Sequence, residues 1–376
     1  MGSGRPRRGP RRDAGRRPAQ GVAPAGHARL LALPERGGGQ GAASVRDRAA
    51  PLGQDPAYAA LWTPPGLRRY GRAMAPKIAP APIVMRTTGW ADYALLDSGH
   101  GKKLERYGRY TVVRPEPQCF WAPRLDQTVW DNADAVFDPT DEDEAGRWRF
   151  KGKPIEKFDL AWGQAKFHGQ FTPFRHLAFF PEQAANWAWQ DERVRALCAG
   201  SGPQPKVLNL FGYTGVASLV CAAAGAAVTH VDASKKSVGF ARENAAFAGL
   251  ADKPIRWIVE DARKFVAREV RRGNTYDGII LDPPKFGRGA DGEVWRLFED
   301  LAALTKDCAA LLSQDASFLL MNAYAARVSG AAMSGLLAQE LQGRGGVIDW
   351  GELSLVEEKG DRQIGLSFFA RWSSEG

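Results

Sequence analysis

The residues best placed to do chemistry stand at the ends of apolar runs. After YDGIIL comes Asp282-Pro283-Pro284-Lys285-Phe286. Two consecutive prolines cannot donate to a strand ladder, and they hold the following loop rigid. They turn the Asp282 carboxylate and the Pro283 carbonyl toward one point. Two such acceptors suit the amine or amide edge of a planar base, and Phe286 is placed to stack on its face. After KVLNLF comes Gly212-Tyr213-Thr214-Gly215, where glycine lets the backbone approach a ligand and start a helix tightly. The spacing is G-x-x-G rather than the G-x-G-x-x-G of a dinucleotide site, and a plain strand-to-helix turn fits it equally. AVTHVD ends in Asp232, 20 residues after Gly212, where a carboxylate can accept both hydroxyls of a ribose. Ser234 follows, so a helix cap is the competing role. IRWIVE is followed by Asp261, which either accepts from an adenine amino group or caps the next helix.

These positions require a scaffold of alternating strands and helices. From residue 205 onward, β-type apolar runs alternate with helical patterns such as VASLVCAAAG, SVGFARENAAFAG and ARKFVAREVRR. A long helix is expected from about Val294, another near 331–342, and two closing strands near 346–370. Such alternation specifies an α/β fold, a mostly parallel sheet with helices on both faces, whose ligands bind beyond the carboxyl ends of the strands. Upstream, IVMRTTGWADYALLDSG, RYTVVRPEPQCFWAP and GRWRFKGKP are short β-prone segments broken by Gly, Pro and Asp. Three regions follow: a tail over 1–77, a small β-rich domain over 83–175 that is a candidate for substrate binding, and a catalytic domain over 176–376. The four strand-end features together fit a class I S-adenosylmethionine (SAM)-dependent methyltransferase and argue against a dehydrogenase.

The net charge of +9 is concentrated at one end. Residues 1–77 hold 15 Lys and Arg against 4 Asp and Glu, leaving 36 basic and 38 acidic residues in the rest. This Arg/Pro/Gly/Ala-rich stretch has too few large apolar residues to offset ordering entropy, so it is expected to be disordered or to precede a true start near Met74 or Met85. No apolar run is long enough to span a bilayer. Cys119, Cys198, Cys221 and Cys308 lack C-x-x-C spacing, which disfavours both a disulfide framework and a zinc cluster and fits a reducing, cytoplasmic location. The histidines show no metal-ligand spacing, so no metal is assigned.

LNLFGYTG (208–215), HVDAS (230–234), IVEDA (258–262) and DPPKFGRG (282–289) resemble the bacterial 23S rRNA large-subunit methyltransferases of the cytosine-5 and guanine-N7 types. FRHLAFFPEQAANW (174–187) is similar to that family's entry into the catalytic domain, and 92–118 is similar to an uncharacterised methyltransferase branch. The resemblance covers roughly 85 to 376. It implies a Rossmann-like fold with a seven-stranded sheet and SAM as cofactor. It also implies that Phe211, Gly212, Thr214 and Gly215 face the methionine moiety, Asp232 the ribose and Asp261 the adenine. Gln183 would approach the cofactor, and Asp282 and Pro283 would line the side of methyl transfer. Cytosine-5 members carry a cysteine nucleophile after the fifth strand, because C5 is unreactive until a thiolate adds to the ring. Here that position is Ala323. The expected chemistry is therefore direct transfer to a nitrogen or oxygen, with Tyr324 either bonding the acceptor or packing.

Basic and aromatic residues interleave in two upstream sets: Lys102, Lys103, Arg106, Arg109 and Arg114 with Tyr107 and Tyr110, then Arg147, Trp148, Arg149, Lys151 and Lys153. Lys285 and Arg288 stand beside the site. RNA binders combine charge with stacking faces in this way, so the expected partner is RNA, ribosomal RNA in particular. The near-neutral body keeps a protein or small-molecule acceptor open, and a vestigial, non-catalytic RNA-binding fold is the third alternative.

Overall fold

The structure, a computed structural model, describes residues 75–374 apart from 141–144, 290–291, 315–316 and 325–327. The expected tail thus lies almost wholly outside the described residues.

The described chain opens with two short strands, β1 (Lys77–Ile78) and β2 (Ile83–Thr87). A five-stranded sheet follows, built from β3 (Tyr93–Gly99), β4 (Lys102–Tyr107), β5 (Tyr110–Pro115), β6 (Ala135–Pro139) and β7 (Gly146–Phe150), with helix α1 (Gln127–Asp131) between β5 and β6. The hairpin of β8 (Lys157–Trp162) and β9 (Ala165–Gln170) completes the β-rich region. A single 3-10 turn (Pro181–Gln183) then leads into α2 (Ala184–Ala199).

Alternation begins there: β10 (Lys206–Leu210), α3 (Val216–Ala224), β11 (Ala227–Asp232), α4 (Lys235–Phe247), β12 (Ile255–Val259), α5 (Ala262–Arg272) and β13 (Gly278–Leu281). Glycines in the left-handed region bracket α3, Gly215 at φ 89° and Gly225 at φ 115°. The Ser234 side chain caps α4, and Asp261 caps α5. After β13 come β14 (Phe286–Arg288), β15 (Val294–Arg296), α6 (Leu297–Leu311), β16 (Phe318–Tyr324), α7 (Gly330–Glu340), β17 (Val347–Val356) and β18 (Gln363–Ser373).

The large sheet has the order β12-β11-β10-β13-β16-β18-β17, parallel except for β18. These are the seven strands the sequence implies. Strand β13 is buried along its whole length, as expected for a strand covered on both faces. The chain reverses its direction of winding between β10 and β13. Their carboxyl ends are therefore where an open α/β sheet binds its ligand.

Two expectations need correction. Ile83–Thr87 does not belong to the small β-rich region; β1 and β2 pair in parallel with β17 and extend the large sheet to nine strands. They cover the edge that the closing strand would otherwise leave unpaired. The helix expected from Val294 starts three residues later, because Val294–Arg296 pairs antiparallel with Phe286–Arg288. Buried Trp295 anchors that hairpin.

The β-rich region and the large sheet share one apolar cluster. Leu95, Tyr107, Phe158 and Phe167 meet Leu219 and Val220 of α3 and Leu355 of β17 within it. The β-rich elements are thereby packed against α3 and β17.

Candidate active site

The loop after β10 is held in an unfavourable conformation by its surroundings. Phe211 (φ 57°) and Tyr213 (φ 48°) both occupy the left-handed region, at a cost of about 1–3 kcal/mol each. With Ala178 (φ 69°), they make three of the four non-glycine residues in that region among the described residues. Strain of this kind persists only where neighbours over-determine it. The Gly212 N–H donates to the Val231 carbonyl at 3.0 Å, and the Thr214 hydroxyl donates to the Ala178 carbonyl at 2.6 Å. The Asn244 amide donates to the Thr214 carbonyl at 2.9 Å. The Phe211 ring packs on Trp295 with centroids 4.9 Å apart, and the Trp295 indole N–H donates to the Pro284 carbonyl at 2.7 Å. Phe211 thus ties the glycine loop to the Asp-Pro-Pro loop.

Asp232 is the brace between two neighbouring loops. One carboxylate oxygen accepts from the Tyr213 N–H at 2.9 Å and the other from the Ser234 N–H at 2.8 Å. Burial raises its pKa above the ordinary carboxylate value, and the two backbone donors oppose the rise. Each oxygen keeps a second lone pair, so the group can still accept from a vicinal diol. Ser234, not Asp232, caps α4.

Asp261 is committed locally. It accepts from the Arg263 and Lys264 N–H groups at 2.9 and 3.2 Å and pairs with the Arg263 guanidinium at 3.0 Å. Arg263 in turn reaches Asp300 at 2.9 Å. Of the two roles open for Asp261, the cap is the one observed.

At the end of β13, the Asn322 amide donates to Asp282 at 2.7 Å. Burial pushes the Asp282 carboxyl up to about 6 despite that bond. Pro283 is buried beside it, whereas Phe286 stands 51% exposed on the hairpin with the Arg288 guanidinium 5.9 Å from its ring. Gln183 is buried in the 3-10 turn and accepts from the Asn186 amide at 2.9 Å.

Apart from Tyr324, several residues around these loops were not legible as site residues. The Arg175 guanidinium donates to the Tyr324 hydroxyl at 2.6 Å, and the Tyr213 hydroxyl lies 3.3 Å from His176 Nδ1. Phe180 packs against Tyr324 and Tyr213, with centroids 5.4 and 6.2 Å away. Glu182, next to Gln183, is 2% exposed, and burial pushes it up to about 7. The one available signal was an acid inside the apolar run FFPEQAANW.

Three of the seven residues in the first basic-aromatic set are interior. Lys103, Tyr107 and Arg114 are buried around Glu105, so they form a charge network rather than a stacking surface. In the second set the period of two does turn Arg147 and Arg149 outward and Trp148 inward, and Arg149 pairs with Asp138 at 2.6 Å. Cys119, Cys221 and Cys308 are buried, and burial raises each thiol, to about 11 and 12 for the first two. Ala323 is buried at the end of β16. Among the described residues no cluster of three His, Cys, Asp or Glu side chains could hold a metal ion, and no helix is long and apolar enough to cross a membrane.

A family model described as Conserved hypothetical protein 95 matches residues 190–326. The chain is 41% identical over 93 residues to a Ribosomal RNA large subunit methyltransferase I of Shewanella denitrificans, which is 24% of this chain and 23% of that protein. It thus spans about a quarter of the length of the curated relatives it matches. A SAM-dependent methyltransferase structure from Agrobacterium tumefaciens matches with a TM-score of 0.76 and 48% identity, over 82% of this chain and 98% of that one. A Streptococcus mutans protein described as a candidate SAM-dependent methyltransferase shares the fold at 18% identity and a TM-score of 0.57, over 76% of each chain. An identity of 48% over 98% of the Agrobacterium protein, together with the strand order and the loops described above, shows that this chain belongs to the SAM-dependent methyltransferases.

Proposed function

We propose that the enzyme methylates a base of structured ribosomal RNA at a nitrogen, without a covalent enzyme–RNA intermediate. The observation that carries this reading is the Asp282–Asn322 pair beside the Pro283 carbonyl, set against a buried alanine where a cysteine would be needed. The curated relatives named as ribosomal RNA methyltransferases support the choice of RNA.

The donor set suits SAM. Phe211, Gly212, Thr214 and Gly215 present main chain to its methionine end, with Gln183 behind them. Asp232 takes the ribose diol, and Asp261 takes the adenine amino group through the remaining lone pair of the oxygen it shares with the Arg263 guanidinium. The sulfonium of the bound cofactor makes its methyl carbon electrophilic. The protein's own work is then to position the acceptor nitrogen and exclude water. The Asp282 carboxylate and the Pro283 carbonyl accept from an exocyclic amine and aim its lone pair, and Phe286 offers a face to the base. Burial of Lys103, Tyr107 and Arg114 removes part of the basic surface expected for RNA, and this favours a second reading, a protein or small-molecule acceptor.

Tritiated SAM and extracts from a strain lacking the gene separate the two. Label is expected in one modified nucleoside of digested RNA, at a base nitrogen. Label at cytosine C5 would refute the role given to Ala323, and label confined to protein or small molecules would replace RNA as the acceptor.

A further inference from the structure

The hairpin of β14 and β15 has two unlike faces. Directly opposed residues of an antiparallel ladder project to the same side. Gly287 opposes Trp295, and that side is fixed, because Trp295 is buried, packs on Phe211 and donates to the Pro284 carbonyl. Phe286 opposes Arg296 and Arg288 opposes Val294, so these four share the other side, and all four are exposed. The Leu297 N–H carries the pairing one step further by donating to the Lys285 carbonyl at 3.1 Å. Exposed Lys285 and Phe298, which is 66% exposed at the start of α6, extend the patch.

The patch is basic as well as aromatic. Lys285 and Arg288 pair with no acid among the described residues, and the Arg288 guanidinium rests 5.9 Å from the Phe286 ring. The acids nearby are engaged elsewhere: Glu293 holds Lys264, and Asp300 accepts from Arg263 and from the Arg296 N–H. Arg296 meets Glu299 at 3.1 Å, but both side chains are more than half exposed, and such a pair is weak enough to yield to another anion. Exposed aromatic rings rimmed by charge mark a surface that a partner covers. Beside Phe298 opens a groove of about 560 Å³ between α6 and α7, walled by Leu301, Met333, Leu336 and Phe368. The Ser329 hydroxyl, the one polar side chain on its lining, already accepts from the Ala332 N–H as the cap of α7.

We infer, resting on the RNA reading above, that this face holds the single-stranded nucleotides next to the one that is methylated. Lys285, Arg288 and Arg296 take backbone phosphates. The base beside the target stacks on Phe298 against the wall of the groove, and Phe286, next to the Asp-Pro-Pro-Lys run, keeps the face it offers to the target base. A duplex cannot bind in this way, because its bases are already stacked on one another. With no free polar side chain in the groove to read a base edge, the flanking base is held whatever its identity. Trp295 joins the back of the hairpin to Phe211, so the strand is positioned by the same loop that receives the methionine end of SAM.

Fluorescence anisotropy on the full chain tests this with labelled dodecauridylate, dodecaadenylate and an RNA duplex of the same length. Both single strands are expected to bind roughly tenfold or more tighter than the duplex and within about fivefold of each other, since stacking tolerates any base. Phe298→Ala should weaken the single strands by roughly tenfold and leave the salt dependence unchanged, because a stacked base releases no counterion. Arg288→Gln should weaken them and lower the slope of log affinity against log salt by about 0.7, the share of one phosphate on a single strand. Both variants should bind S-adenosylhomocysteine as the wild type does, which shows them folded. Wild-type affinity for the single strands in either variant, or a duplex preferred over them, overturns the placement and leaves the RNA reading standing. A wild type that binds neither the single strands nor unmodified 23S rRNA overturns both. Loss of protein labelling in the variants would give the face to a protein acceptor instead.

Discussion

Gly212→Ala is expected to abolish cofactor binding and to destabilise the protein by about 3 kcal/mol, at the upper end of what overpacking costs. The reason is space rather than backbone freedom, since Gly212 is not among the residues at positive φ. A Cβ there would lie 2.4 Å from Cε1 and 2.5 Å from Nδ1 of His230. His230 has nowhere to retreat. It is fully buried, bonded to the Ser218 hydroxyl at 3.0 Å and packed on Trp257. Desolvation holds its pKa down near 3, so the ring is neutral and can share the buried site with uncharged neighbours. The loop cannot yield either, because the residues on both sides of Gly212 already sit in the left-handed region. Chemical denaturation gives the stability loss, and calorimetry with S-adenosylhomocysteine gives the binding loss. His230→Ala in the same chain should restore part of both, because the two sites share one contact.

Arg114→Met is expected to cost about 3–5 kcal/mol, the penalty for stranding a buried carboxylate. Arg114 grips Glu105 through Nε at 2.7 Å and Nη2 at 2.8 Å, and the Tyr93 and Tyr107 hydroxyls donate to the same carboxylate at 2.9 Å. Arg114 Nη1 also donates to the Arg175 carbonyl at 3.0 Å, which ties the β-rich sheet to the segment beside Tyr324. Burial alone would raise the Glu105 pKa; attraction to Arg114 and Lys103 outweighs it and holds the carboxyl at about 2, below its ordinary 4.5. A folded value below the unfolded one contributes stability above pH 4.5 that is lost as pH falls from there toward 2. Urea unfolding across that range should show the slope in the wild type and lack it in Arg114→Met. The double change Glu105→Gln with Arg114→Met should be milder than the single one, since no charge is left unpaired.

The large sheet and its strand-end loops were legible because they depend on local signals. Apolar runs of strand length, glycines at turns and two prolines after Asp282 each carry their own physical reason. What was missed depends on who covers whom. Lys103, Tyr107 and Arg114 read as a basic, aromatic surface, because nothing in β4 or β5 announces that Glu105 and a second element will enclose them. Ile83–Thr87 is as β-prone as the strands after it, so its pairing with β17, more than 260 residues away, could not be told from pairing with β3. Asp261 stayed open between two roles because a carboxylate before a helix suits both a cap and a ligand. Glu182 carries no local signal that separates it from its neighbour Gln183, although the fold buries it to 2% exposure. Phe211 and Tyr213 gave no hint of positive φ, since the strain is imposed by Trp295, Asp232 and Ala178 rather than encoded by glycine.

Titration of S-adenosylhomocysteine into the full chain by calorimetry tests the cofactor site at the ends of β10 and β11 most directly. One site per chain is predicted, and Asp232→Ala should weaken it by about tenfold or more, the scale of a lost hydrogen bond to a charged group. An Asp232→Ala chain that binds as tightly as the wild type would contradict the placement of the cofactor there.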